Sequence, residues 1–258
     1  MKKKELDNYS NKIVKAFLKN KIIKPLPIYL TKKISNAQKF RKLCESKVKE
    51  PIIGFKAAGT AIAVIKKLGE KEPFYAAVYK RNFLKSGKKV KTNNYTLGIE
   101  LEVVYKIKKN FFSLNKIVTT NNLKKYIVSI APAIEVVGYR QRKKGIKSFG
   151  DLCSDFGANV KFIIGKQIKN KRINIKNLKT TMLNKKLNKI VYGNTNTVFK
   201  NPLNSLKFVL TKLKRDKVFL NKDFYVFTGS SIGVVPLNNK GLFIGKIEKI
   251  GSVKTLIS

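Results

Sequence analysis

The chain has 258 residues, of which 43% are hydrophobic, so it can bury a substantial core in one large domain or two small ones. It contains 57 Lys and Arg residues against 14 Asp and Glu residues, and it contains no histidine. The absence of histidine excludes Ser-His-Asp and Cys-His catalysis and every histidine-ligated metal site. The composition therefore favours a folded protein and removes several common kinds of active site.

Residues 8–49 have a helical pattern of apolar positions, which is interrupted at Pro25 and Pro27. A second helix is predicted to begin at Ser35 as its N-cap. In the second half of the chain, residues 201–215 form the clearest predicted helix. Its apolar positions are Leu203, Leu206, Val209, Leu210 and Leu213.

From Pro51 onward the chain breaks into short β-like runs separated by Gly, Asn, Pro and Lys clusters. These runs are PIIGF, YTLGIELEVVYKI, KYIVSIAPAIEVVGY, NVKFIIG, DFYVFTG and GLFIGKIEKIGSV. Helices followed by many strands and one further helix indicate an α+β protein with a rolled mixed β-sheet. We expect an N-terminal helical segment over 1–50, packed on a larger domain over 51–258.

The formal net charge of +43 would ordinarily suggest a nucleic-acid or anionic-membrane partner. However, 51 of the basic residues are Lys and six are Arg, whereas Arg is suited to bidentate phosphate and guanine contacts. The lysines are also spread along the chain, and abundant Asn, Ile, Phe and Tyr accompany them, as is typical of an AT-rich genome. We expect salt-sensitive binding of polyanions in vitro but no specific nucleic-acid partner.

The two cysteines, Cys44 and Cys153, form neither a C-x-x-C pair nor a disulfide framework, which indicates a reducing compartment. We interpret Cys153 as a small core residue rather than a nucleophile. No stretch approaches about 18 consecutive apolar residues, and the N-terminus lacks the apolar core of a signal peptide. These features predict a soluble, uncleaved, cytoplasmic protein without a membrane partner.

Three glutamates lie inside apolar, β-branched runs, where a charge is costly to bury without compensation. Glu100 and Glu102 belong to the run LGIELEVVY, and Glu135 belongs to the run SIAPAIEVVGY. Two residues at i and i+2 on a strand face the same side, and a third carboxylate from another strand would complete an open, all-oxygen site. Such a site suits Mg²⁺ or Mn²⁺. The spacing alone leaves a second interpretation open, in which these glutamates pair with neighbouring lysines.

The order of seven short motifs carries more information than any one of them. In chain order the motifs are I-G-F-K, E-x-E, P-A-x-E-V-V-G-x-R, D-x-x-x-N, N-P-L, T-G-S and G-S-V. With this series the chain resembles the hydratase and decarboxylase branch of the fumarylacetoacetate hydrolase superfamily over nearly its whole length.

The resemblance assigns roles to residues at matching positions. It implies that Glu100, Glu102 and Glu135 hold the divalent metal, and that Lys56 and Asp155 are catalytic. The substrate-binding residues that it implies are Arg140, Asn159, Thr228, Gly229 and Ser230.

The resemblance further implies a homo-oligomeric, metal-dependent lyase that hydrates a small 2-oxo or 2-hydroxy-dienoic acid. Hydrolysis of carbon–carbon bonds is disfavoured, because family members that catalyse it are expected to use a histidine. Decarboxylation of an oxalocrotonate-like diacid remains an alternative. A third possibility is a basic protein that keeps the fold, has lost catalysis and binds RNA or another polyanion, since the run EPFYAAVYKRNF departs from the family's pattern.

Overall fold

The computed structural model of this protein describes residues 3–141, 148–169 and 173–258. The α-helices are α1 (Lys3–Lys19), α2 (Ile28–Thr31), α3 (Ile34–Lys47), α4 (Ile62–Lys67), α5 (Thr120–Leu123), α6 (Phe149–Ser154) and α7 (Pro202–Arg215). The strands are β1 (Ile52–Ala58), β2 (Phe74–Tyr79), β3 (Phe83–Lys85), β4 (Lys89–Val90), β5 (Thr96–Ile107), β6 (Ile127–Gly138), β7 (Asn159–Ile164), β8 (Lys179–Asn184), β9 (Lys189–Asn194), β10 (Phe224–Ser230), β11 (Val235–Pro236), β12 (Gly241–Ile247) and β13 (Gly251–Ile257).

The break between the N-terminal helices lies where the sequence predicted it, but not every helix boundary agrees with the prediction. α1 buries Ile13 and Phe17. The chain has no regular secondary structure from residue 21 to residue 27, a stretch whose two prolines cannot donate a helical hydrogen bond. The predicted N-cap at Ser35 is wrong: α3 begins at Ile34, and its N-cap position makes no side-chain hydrogen bond. These helices share the main hydrophobic core with the strands that follow.

The larger sheet has the order β2-β1-β10-β5-β6-β7-β3, with β11 paired to β5. The pairs β1–β10 and β3–β7 are parallel and the other pairs are antiparallel, so the sheet is mixed. This arrangement confirms the predicted α+β class and curled mixed sheet. The sequence did not predict β2, because all six of its residues are buried and the period-two signal is absent.

A second sheet, β4-β13-β12-β8-β9, packs against β6 and β7. The run GLFIGKIEKIGSV, taken as one strand from its sequence, is a hairpin of β12 and β13. The sequence also missed β8 and β9, whose residues are largely polar or exposed.

Helix α7 supports the larger sheet from its convex side and matches the prediction for residues 201–215. Asn201 caps the helix by accepting a hydrogen bond from the Leu203 amide, and Pro202 occupies the first helical position. The apolar face packs on β10 and β1. No described helix combines the length and the apolar character needed to cross a bilayer.

The two faces of the larger sheet differ in chemistry. On β5, Ile99, Leu101 and Val103 point into the main core, whereas Glu100 and Glu102 point to the inner face of the curl. A small apolar cluster closes this inner face below the glutamates. It consists of Val78, Val104, Ala131, Ala133, Phe162, Ile164 and Phe227.

Candidate metal centre

The three predicted glutamates come together on adjacent antiparallel strands. Glu100 and Glu102 lie on β5, and Glu135 lies directly opposite Glu100 on β6. Carboxylate oxygens of the three residues all lie within 4.8 Å of one another. Ligands on an octahedral ion with bonds of about 2.1 Å are separated by about 3 to 4 Å, so small side-chain adjustments would bring all three onto one ion.

The hydrogen bonding of these carboxylates is incomplete, which provides a test of whether a metal fits. Glu102 and Glu135 are fully buried, and one oxygen of each, Oε1 of Glu102 and Oε2 of Glu135, has no hydrogen-bond partner among the described residues. Buried polar atoms are rarely left unpaired, because each one loses its hydration. The donor set, with three carboxylates and no nitrogen or sulfur, fits Mg²⁺ or Mn²⁺.

Among the residues that the structure describes, Lys56 on β1 is the one ammonium in contact with the glutamates. Its Nζ lies 2.5 Å from Glu135 Oε1 and 2.9 Å from the carbonyl oxygen of Gly157. The side chain is 4% exposed, so the ion pair is shielded from water. The alternative in which the glutamates pair with lysines therefore applies to Glu135. One ammonium leaves a formal charge of −2 on the ionised cluster, which is the charge that a divalent cation balances.

Burial and mutual repulsion shift the acidities of this cluster. Burial, together with a neighbouring glutamate, raises the pKa of Glu100 and of Glu102 to about 7, although Lys56 opposes the shift. Burial also raises the pKa of Glu135 well above its ordinary value. Burial lowers the pKa of Lys56, but the three glutamates more than offset this effect, so the net shift is upward and the ammonium form is favoured.

A strained turn presents the Gly157 carbonyl to Lys56. Phe156, Gly157 and Ala158 all have left-handed backbone conformations, with φ of 53°, 69° and 62°. Such a conformation is unfavourable for residues with a Cβ atom and persists only where surrounding contacts hold it. A Cβ atom added to Gly157 would lie 3.1 Å from Ala76 Cβ, so both the conformation and the space favour glycine.

Arg140, Asp155 and Asn159 form a buried network that anchors this turn. Asp155 accepts hydrogen bonds from the backbone amide and the Nη1 of Arg140, at 2.6 and 2.9 Å, and the Arg140 Nη2 donates to the Asn159 carbonyl at 2.6 Å. The Asn159 side-chain amide donates to the Ala77 carbonyl at 2.9 Å. The structure does not bring these three predicted site residues to the cavity wall. Most of their polar groups hold the turn, whereas Asn159 Oδ1 and Arg140 Nε have no hydrogen-bond partner among the described residues.

One part of the predicted T-G-S segment supports neighbouring strands and side chains, and another part lines the cavity. The Thr228 hydroxyl is buried and donates to the Val103 carbonyl, so it links β10 to β5. The Gly229 amide donates to Glu102 Oε2 at 3.0 Å, which orients that carboxylate. Ser230 lies on the wall of the cavity.

A cavity of about 440 Å³ lies beside Lys56 and Glu100. Much of its wall comes from three segments that the sequence did not mark as functional: the β1–α4 connection, the end of β9 and the loop after β10. Thr60 is one such residue, and Tyr192 on β9 is another. Thr60 could have been found from the sequence, because it belongs to the G-T pair that follows the I-G-F-K run. Tyr192 could not, because strand β9 was not predicted.

No protein-family model matches the sequence, and no curated protein matches it. Its fold, however, resembles those of solved structures. 4-Oxalocrotonate decarboxylase from Pseudomonas putida G7, complexed with magnesium and adipate, superimposes with a TM-score of 0.85 at 18% identity, covering 100% of this chain and 99% of that one. The same enzyme complexed with calcium and acetate gives a TM-score of 0.83 at 17% identity, covering 100% of this chain and 99% of that one.

A more distant likeness is to fumarylpyruvate hydrolase from Pseudomonas aeruginosa in complex with Mn²⁺ and pyruvate. The TM-score is 0.61 at 12% identity, covering 82% of this chain and 91% of that one. These likenesses show that the chain has the fold of fumarylacetoacetate hydrolase-family proteins, among which are metal-complexed decarboxylases and hydrolases.

Proposed function

We propose that this protein is a divalent-metal-dependent lyase of the 2-oxopent-4-enoate hydratase type, which adds water to a small 2-oxo or 2-hydroxy-dienoic acid. The observation that carries the proposal is the cluster of Glu100, Glu102 and Glu135 beside a cavity. Glu102 and Glu135 are fully buried, and one oxygen of each has no hydrogen-bond partner among the described residues. The fold likeness to metal-complexed enzymes supports it.

In this proposal, Glu100, Glu102 and Glu135 hold Mg²⁺ or Mn²⁺. When bound, the ion supplies a Lewis acid that stabilises the enolate of a chelated 2-oxo acid. The Gly229 amide keeps Glu102 oriented, because it already donates to that carboxylate.

Lys56 binds an anionic oxygen of the substrate. Its upward-shifted pKa keeps it protonated, so it acts as a hydrogen-bond donor and positive charge rather than as a base. The Thr60 side chain lies on the cavity wall against Gly229, where its hydroxyl can hold the water that adds to the conjugated alkene.

Decarboxylation of an oxalocrotonate-like diacid is the second candidate. It is favoured by the likeness to 4-oxalocrotonate decarboxylase, which extends over the whole chain. Both reactions would need a 2-oxo group that a bound ion polarises, so the glutamate cluster is compatible with both. Product analysis by NMR distinguishes them, since only decarboxylation releases CO₂.

The proposal is tested by ultraviolet-monitored turnover of 2-hydroxypenta-2,4-dienoate with and without Mg²⁺ or Mn²⁺. We expect metal-dependent loss of the dienol, and we expect Glu102→Gln to lower kcat/KM at least about 100-fold. The matched control is Glu72→Gln at an exposed glutamate far from the cluster in sequence. Turnover by Glu102→Gln at the wild-type rate and metal affinity would contradict the metal assignment.

A further inference from the structure

We infer that the substrate of this site is a monocarboxylic 2-oxo acid with an uncharged, apolar tail, and that the cavity accepts tails longer than that of a five-carbon acid. This inference rests on the proposed function and specifies its substrate class. The inference rests on the cavity walls that lie beyond the glutamates. These walls are largely apolar, whereas the glutamate cluster is charged or polar.

The register of the larger sheet defines the level next to the carboxylates. Glu100 is opposite Glu135, and the next pair on the same face is Gly98 opposite Val137. On β1, Ala58 follows Lys56 on that face. On β1, β5 and β6, the level immediately beyond the charged groups is therefore built from glycine and apolar side chains.

The loop after β10 adds to this apolar wall. A Cβ atom on Gly98 would lie 2.5 Å from a Val234 methyl carbon, so Val234 covers Gly98 directly. Further apolar side chains continue the wall towards solvent. These are Val64, Leu97, Leu152 and Ile232.

Positive charge is scarce on this wall, although the chain as a whole carries 57 basic residues among 258. Among the described residues that line the cavity, Lys56 is the only lysine or arginine. Its ammonium is held at the carboxylate end by Glu135 and the Gly157 carbonyl. A second carboxylate at the far end of a substrate would lose hydration without gaining a cation from any described residue of the cavity wall, which opposes the binding of diacids.

The cavity volume sets the expected length of the tail. About 440 Å³ lies in the range of pockets that enclose drug-sized ligands, and a five-carbon acid would leave much of it unfilled. Each buried methylene that fills the apolar part should tighten binding about fourfold.

The test is calorimetric binding to the full-length protein loaded with Mn²⁺, with 2-oxobutanoate, 2-oxohexanoate, 2-oxooctanoate and 2-oxoadipate as ligands. About 0.2 M salt screens the general attraction of dianions to a chain of net charge +43. We expect Kd to fall from the four-carbon to the eight-carbon monoacid. We also expect 2-oxohexanoate to bind at least about tenfold tighter than 2-oxoadipate, which has the same length and one more carboxylate.

A charge placed on the wall provides the complementary test. Val234→Lys adds a cation at a half-exposed position and should shift the preference towards 2-oxoadipate about tenfold. The matched control is Ile117→Lys, at a side chain that is 86% exposed and lies outside the cavity, where we expect no shift.

These measurements distinguish a failure of the apolar-tail inference from a failure of the proposed function. If 2-oxoadipate binds the wild-type protein as tightly as 2-oxohexanoate, or if Kd is independent of tail length, the apolar-tail inference is overturned while the metal-dependent function stands. If none of the four acids binds in the presence of Mn²⁺, the proposed function fails, and the inference fails with it.

Discussion

Lys56 and the strained turn around Gly157 are the residues on which the geometry of the site depends most directly. The ammonium bridges Glu135 and the Gly157 carbonyl, while the turn is held from behind by the ion pair between Asp155 and Arg140. The left-handed conformations of Phe156 and Ala158 oppose folding by about 1–2 kcal/mol each. Removal of either partner of the buried Arg140–Asp155 pair would leave an uncompensated charge at a cost of about 3–5 kcal/mol, so the pair resists rearrangement of the turn.

Substitution of Gly157 tests this positioning role. Gly157→Ala places a Cβ in a left-handed residue and against Ala76, so we expect a loss of about 1–2 kcal/mol in the free energy of unfolding. We also expect kcat/KM to fall at least about tenfold, because the carbonyl that aligns Lys56 moves. Urea denaturation and steady-state kinetics measure the two effects.

Gly69→Ala is the matched control for that substitution. Gly69 has nearly the same φ, 70°, but an added Cβ would have nothing within 4 Å. We expect a similar loss of stability with kcat/KM unchanged. A Gly157→Ala protein that keeps wild-type kcat/KM would show that the carbonyl does not position Lys56.

Helix α7 is the element that connects the outer surface to the site. The Ser205 hydroxyl donates to the Thr228 carbonyl at 2.7 Å, and Thr228 is followed by Gly229, whose amide orients Glu102. The first turn of α7 therefore supports the backbone of β10 at the point where this strand reaches the glutamate cluster.

A testable prediction for helix α7 concerns its N-cap. Asn201→Ala removes the acceptor for the Leu203 amide, so we expect the free energy of unfolding to fall by about 1 kcal/mol. Lys207→Ala, at an exposed position in the same helix, should change it by less than about 0.5 kcal/mol. Circular dichroism during urea denaturation measures both, and equal effects of the two substitutions would exclude a specific contribution from the cap.

Across the whole molecule, the buried carboxylates couple stability to pH and to metal. Below about pH 4.5, the ordinary pKa of glutamate, these groups are protonated in the folded and unfolded states alike. As the pH rises towards 7, the unfolded chain releases protons that folded Glu100 and Glu102 still bind, so the metal-free protein loses stability. The loss for one such carboxylate is on the order of 3 kcal/mol and is complete above the folded pKa.

We therefore expect the melting temperature of the metal-free protein to fall between pH 5 and pH 8. Saturating Mg²⁺ or Mn²⁺ should raise it, and the increase should be larger at pH 8 than at pH 6, because the ion binds the ionised carboxylates. Calorimetry with and without a chelator measures both trends. In Glu102→Gln the metal-free decline should be shallower, and a decline as steep as in the wild type would place the titrating groups elsewhere.

Local patterns in the sequence determined the long strands, helix α7 and the orientation of Glu100 and Glu102 to one face, because side-chain period and capping residues act within a few positions along the chain. The tertiary structure decided what surrounds those glutamates. Strand pairing set Glu135 opposite Glu100, and the curl of the sheet brought Lys56 and the Gly157 carbonyl to them. The tertiary structure also placed Arg140 behind the cavity wall, where it forms an ion pair with Asp155. These contacts join residues far apart in sequence, and which strands pair, and in which register, depends on burying the whole core at once.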